Sequence, residues 1–150
     1  MKILVLSDSH SALSFMRSCI ETVKPDRIIH LGDYYDDACA MAEEYPDIPL
    51  TQVPGNCDRY RCPPFVQEVI SERIDGVYFY LTHGHHANPD RLPPLSQGSV
   101  FLYGHTHVKL DAVKNGIRCL NPGSVSIPKD GSNSCLIYEN GEFSFRILED

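Results

Sequence analysis

Residues 2–6, KILVL, form an unbroken apolar run of the length that a strand buried on both faces requires. Leu13, Met16, Ile20 and Val23 then recur at helical spacing until Pro25 ends the pattern. RIIHL at 27–31 repeats the strand signal. DDACAMAEEY at 36–45 places two acids at a helix start, where the backbone dipoles favour negative charge, and runs into Pro46. PLTQVPGN at 49–56 supplies a third strand. The opening of the chain therefore reads β-α-β-α-β.

The second half changes character. Asp75-Gly76, Asn115-Gly116 and Asn140-Gly141 each lie between β-rich runs such as VYFYL and CLIYE, and each is a strong two-residue hairpin signal. A β-α-β-α-β opening followed by hairpins predicts an α/β fold: a two-sheet α/β/β/α sandwich with mixed sheets packed face to face and helices on the outer faces. With 150 residues, 42% of them hydrophobic, the chain is expected to form one domain over 1–150.

Charge and cysteines narrow the function classes. Thirteen basic residues stand against 20 acidic ones, a formal net of −7, with no basic cluster longer than a pair. That balance argues against nucleic acid as a partner, except as a substrate end held by local charge. The start of the chain has too short an apolar run for a signal peptide or a membrane span, so no membrane partner and a cytoplasmic location are expected. The six cysteines are scattered without CxxC spacing and most are expected to be reduced.

The candidate chemistry lies where the strands end. Residues two apart in an extended segment share a face, which pairs Asp8 with His10 after the first strand and His105 with His107 in FLYGHTHVKL. The second strand ends in Gly32-Asp33, the third in Gly55-Asn56-Cys57-Asp58, and VYFYLT in His83-Gly84-His85. Five apolar runs thus deliver oxygen or nitrogen ligands at their carboxyl ends, where α/β sheets place ligands. A single HxH is weak; five such endings define an organised site.

Taken in order, DSH, GDYYD, GNCD, HGH and GHTH, with NPGS at 121–124, resemble the calcineurin-like metallophosphoesterase superfamily, in particular its small uncapped bacterial and archaeal phosphodiesterase branch. The resemblance covers residues 1 to about 128 and implies a metallophosphoesterase-like fold. It implies two divalent metal ions, manganese first with iron, cobalt, nickel or zinc as alternatives. One ion would be held by Asp8, His10 and His107, the other by Asn56, His83 and His105, with Asp33 bridging. It implies hydrolysis of a small phosphodiester by in-line displacement with water activated between the metals. After the two acids and a hydroxide are counted, the site keeps about one positive charge, which suits a diester anion.

His85 is then a candidate for contacting the phosphate or leaving group, with a role behind the ligands as the alternative. Many family members carry a histidine where this chain has Cys57, and a thiol is a poorer proton donor to a departing oxygen. Cys57 and Asp58 complete the catalytic candidates, Asp58 with a turn-capping alternative. No glycine follows His10. Asp36 reads as a helix cap, His30 as a hydrogen-bonded core residue and His86 as a surface residue, while Tyr34 and Tyr35 either line the site's mouth or cover it. Against catalysis stands a metal-binding interaction scaffold like the retromer sorting subunit that shares the family fold; the intact set of seven ligands favours an enzyme. A homo-oligomer is left open.

Overall fold

The computed structural model describes residues 1–58, 63, 66–126, 129 and 133–148. Ten strands and two helices follow in chain order: β1 (Lys2–Leu6), α1 (Leu13–Val23), β2 (Arg27–His30), α2 (Tyr35–Glu44), β3 (Leu50–Gln52), β4 (Val69–Ile74), β5 (Val77–Thr82), β6 (Val100–Leu102), β7 (Leu110–Lys114), β8 (Ile117–Asn121), β9 (Asn133–Glu139) and β10 (Glu142–Leu148). A 3-10 turn spans Asn56–Asp58.

They build two five-stranded mixed sheets, ordered β10-β9-β1-β2-β3 and β4-β5-β6-β8-β7. In the first, β1, β2 and β3 run parallel and the β9–β10 hairpin adds antiparallel to β1. In the second, β5, β6 and β8 run parallel, with β4 and β7 added through hairpins. The Asx-Gly pairs at 75–76, 115–116 and 140–141 sit at hairpin turns, and Asp75, Asn115 and Asn140 take the positive φ that such turns demand.

The continuous apolar run of β1 follows from burial on both faces. Ile3 and Val5 point between the sheets, against Phe79, Leu81, Leu102 and Leu136. Leu4 and Leu6 point the other way, onto Met16, Cys19 and Ile20 of α1 and Met41 of α2. The two-sheet α/β architecture is as the hydrophobic pattern predicts. Its helical cover differs in one respect: among the described residues both helices lie on the first sheet. The outer face of the second sheet, Phe101, Tyr103, Ile117 and Cys119, is packed instead by Ala87, Leu92 and Leu95 from the irregular segment between β5 and β6. No described helix is long and apolar enough to cross a membrane. The described cysteines, Cys19, Cys39, Cys57, Cys119 and Cys135, are free, while Cys62 lies outside the described residues.

Parallel strands align their carboxyl ends at one edge of a sheet. The loops after β1, β2 and β3 meet those after β5 and β6 there, and this is where the candidate site forms.

Candidate metal centre

The seven residues converge as two groups of lone-pair donors around Asp33. In one, Asp8 Oδ1 lies 3.3 Å from His107 Nε2 and 4.0 Å from His10 Nε2, which is itself 3.7 Å from Asp33 Oδ2. In the other, Asn56 Oδ1 lies 3.1 Å from both His83 Nε2 and His105 Nδ1, and His83 Nε2 is 3.5 Å from the same Asp33 oxygen.

Three of the donors are aimed by a bond on the far side. Asp8 Oδ2 accepts from Ser7 Oγ at 2.6 Å and from the His105 N–H at 2.9 Å, which leaves Oδ1 facing inward. Asp33 Oδ1 accepts the Cys57 N–H at 2.9 Å, leaving Oδ2 inward. His83 Nδ1 donates to the Leu31 carbonyl at 2.7 Å, which fixes the tautomer with a bare Nε2 toward Asn56 Oδ1. Asp8 Oδ1 and His10 Nε2 are buried without any hydrogen-bond partner. A buried carboxylate oxygen and a buried ring nitrogen 4.0 Å apart, neither with a hydrogen-bond partner, are the arrangement a cation resolves, so these residues fit divalent metal ions.

The electrostatics agree. Burial pushes the Asp8 carboxyl upward, but the close imidazole of His107 and the charge of His83 outweigh it and hold it below the usual carboxylate range. Asp33 is likewise pushed up by burial and pulled well below that range by His83 and the Cys57 N–H. Burial lowers His83, but Asp33 and Asp8 more than reverse this and raise it. Both acids therefore stay ionised and draw positive charge between them.

The local backbone departs from the period-two reading. Asp8, His10, Asp33, His105 and His107 all adopt left-handed φ between 42° and 71°, so the chain has left the strand before each of them. His105 and His107 reach the same centre because the loop coils, and they face opposite groups rather than a shared strand face. Ser11 takes φ 69° at the position where a glycine is missing after His10.

A buried relay holds this strained backbone. Gly32 N–H donates to His30 Nδ1 at 3.2 Å, which leaves His30 Nε2–H to donate to Ser9 Oγ at 2.9 Å. Ser9 Oγ–H donates to Asp37 Oδ2 at 2.7 Å, and Asp37 also accepts the Ser11 N–H at 2.7 Å. Ser9 and Asp37 were not singled out by the sequence reading; a serine between two ligands and an acid in the next helical turn carry no signal that isolates them. The 121–124 loop acts from the other side: Ser124 Oγ donates to the Asp8 carbonyl at 2.9 Å, and Asn121 Nδ2 to the Gly104 carbonyl at 3.0 Å.

The remaining candidates divide. Asp58 is buried, with Oδ1 accepting from Tyr35 N–H at 2.7 Å and Oδ2 from Gly55 N–H at 2.8 Å and Asp33 N–H at 3.0 Å. This is the turn-capping arrangement: its oxygens bond the turns that carry Asp33 and Asn56. Cys57 is exposed beside Asp33, and burial of its sulfur together with the Asp33 charge pushes its thiol up to about 11. His85 lies at the edge of the centre, its ring 5.5 Å from that of His83 and 6.3 Å from that of His105. Tyr34 packs edge-on against the His10 ring at 5.0 Å. Asp36 is exposed in the first turn of α2, and His86 is exposed.

Two mixed sheets whose strand ends gather a carboxylate between two nitrogen- and oxygen-rich groups define the class of metal-dependent phosphoesterases. Comparison with known proteins places the chain within that class. Residues 1–142 match the calcineurin-like phosphoesterase superfamily domain, and the chain belongs to this superfamily as a metallophosphoesterase, a hydrolase of ester bonds. Phosphodiesterase YfcE of Escherichia coli K12 is 31% identical across 100% of this chain and 94% of its own length. The structure of YfcE, a phosphoesterase, is similar with a TM-score of 0.83 at 27% identity, covering 96% of this chain and 91% of that one. Phosphodiesterase MJ0936 of Methanocaldococcus jannaschii is 29% identical over 82% of this chain and 83% of its own. Vacuolar protein sorting 29 from Cryptosporidium parvum, at 18% identity and TM-score 0.67 over 98% of this chain and 96% of that one, shares the fold alone.

Proposed function

We propose that this protein is a phosphodiesterase that hydrolyses a small phosphodiester at a dinuclear centre. Asp8, His10 and His107 would hold one ion; Asn56, His83 and His105 would hold the other; Asp33 would bridge them. The carrying observation is the pair of buried atoms, Asp8 Oδ1 and His10 Nε2, that have no hydrogen-bond partner and lie beside an Asp33 oxygen directed at both groups. When bound, two divalent ions, manganese by preference, supply the Lewis acid and the activated water for displacement at phosphorus.

The chain's own groups do the rest. Ser7, the Cys57 N–H and the Leu31 carbonyl orient Asp8, Asp33 and His83, so that donor positions are set before a ligand arrives. His85, on the rim, is placed to contact a substrate phosphoryl oxygen or leaving group. Cys57 stays a neutral thiol near pH 7 because its proton is held to about 11, which makes it a poor acid for an alkoxide leaving group.

The test is a count. Protein reconstituted with excess manganese should hold about two ions per chain, hydrolyse bis(p-nitrophenyl) phosphate, and lose both occupancy and rate in His83→Ala. A tight stoichiometry of one ion, unchanged by His83→Ala, would sink the dinuclear reading.

A further inference from the structure

Outside that centre, the end of β5 and the start of β4 bring together a second set of ligating side chains. Val69 pairs with Thr82, so Glu68 sits beside the point where the chain leaves β5 and turns through Gly84, at φ 110°, into His85 and His86. Neighbouring residues usually diverge, yet here the two imidazole rings lie with centroids 4.1 Å apart. His86 Nε2 is 3.7 Å from Glu68 Oε2. One ligand atom from each of Glu68, His85 and His86 lies within 4.8 Å of the other two. His85 also carries a buried ring nitrogen, Nδ1, that meets no protein partner, the condition in which an imidazole takes an ion or a water.

We propose that Glu68, His85 and His86 form a further divalent-cation site, separate from the centre around Asp33 and sharing none of its seven ligands. Two imidazoles and one carboxylate select a borderline ion such as zinc over magnesium or calcium, which prefer oxygen donors. Three protein ligands leave a coordination position open. Glu68 and His86 are 59% and 70% exposed, so that position faces solvent. The ring of His85 lies 5.5 Å from that of His83 and 6.3 Å from that of His105, so the cluster adjoins the inner centre. An ion here adds positive charge on the rim, where a second anionic group of a substrate would approach; this last point rests on the proposed phosphodiesterase reading, whereas the ion site does not.

The experiment counts zinc on the full chain, stripped with chelator and then reloaded with Zn2+ alone. Wild type should retain about one zinc per chain more than the Glu68→Gln/His86→Ala double variant, and before reloading the two stripped proteins should melt alike because both side chains are exposed. Asp33→Ala, which disables the inner centre, should still hold the outer zinc and lose it when the two outer substitutions are added. Failure of the dinuclear reading would change the inner count and leave this difference intact. Equal zinc counts in wild type and double variant, with equal affinities, overturn the outer site. Should the double variant misfold, Glu68→Gln alone, which keeps the shape and removes only the charge, must weaken zinc binding; an unchanged affinity there overturns it equally.

Discussion

Replacing Gly55 by alanine tests whether the position of Asp33 controls the centre. Gly55 does not have a positive φ, so alanine adds no backbone strain and acts only through space. Its Cβ would overlap Asp33 Oδ1 and lie 2.6 Å from Asp33 N and 2.9 Å from Asp33 Cγ. The turn cannot easily give way, since Gly55 N–H is bonded to Asp58 Oδ2 at 2.8 Å and Asp58 N–H returns to the Gly55 carbonyl at 3.0 Å. The carboxylate and the Asp33 backbone that carries it must therefore shift by about 1 Å, a displacement of the size that costs about 10²-fold in rate. Overpacking of this kind also costs about 1–3 kcal/mol of stability. The assay is hydrolysis of an activated diester beside manganese binding by calorimetry, with Gly98→Ala as control. Gly98 has φ 86° and nothing within 4 Å of an added Cβ, so its substitution brings strain of about 1–2 kcal/mol without touching the site. Gly55→Ala should lose metal affinity and rate; Gly98→Ala should lose only stability. If Gly55→Ala bound manganese and turned over as wild type does, Asp33 would not be the residue on which the centre depends.

Burial first, against the pull of Asp37, lowers His30 from an ordinary 6.5 to about 4, so between those values the unfolded chain binds a proton that the native one refuses. Stability of the chelator-stripped protein should thus fall with pH from about 6.5 to about 4, by up to about 3 kcal/mol, and His30→Gln should flatten that slope in urea unfolding. Ser11→Gly relieves φ 69° while keeping the N–H bonded to Asp37, and should raise the urea midpoint by an amount equivalent to about 1 kcal/mol; no gain would mean that the turn is unstrained. Cys57→His keeps the backbone bond to Asp33 and supplies an imidazole, so the ratio of alkyl-ester to nitrophenyl-ester rates should rise by ~10 to 10²-fold, and an unchanged ratio with both metals bound would move the search for the acid to His85.

The sheets were legible because burial imposes a period. KILVL must be apolar at every position when Ile3 and Val5 face one core and Leu4 and Leu6 another, and Asx-Gly turns need positive φ whatever surrounds them. The cover of the second sheet was not legible. Ala87, Leu92 and Leu95 are spaced without helical or strand period, so nothing in their order says that they close a core beneath Phe101 and Tyr103.

The ligands and their supports differ in the same way. Few residue types hold a divalent ion, so Asp8, His10, Asp33, Asn56, His83, His105 and His107 stand out wherever an apolar run ends. What aims them is mostly backbone: the Leu31 carbonyl on His83, the Cys57 N–H on Asp33, the His105 N–H on Asp8. Every residue but proline offers the same backbone N–H and every residue the same carbonyl, so sequence cannot mark those that do this work. His105 and His107 meet at one centre not along a shared strand face but through a coiled loop, since both sit at left-handed φ outside a strand. That conformation is unfavourable for a residue with a Cβ and persists only where surrounding bonds hold it. Here the Ser9–His30–Asp37 relay holds one loop, Asp58 a second and Asn121 a third. The strained residues and the proposed ligands are largely the same residues. A change in the supports should therefore act on metal affinity before it unfolds the protein, because the turns can relax locally while the two sheets stay packed.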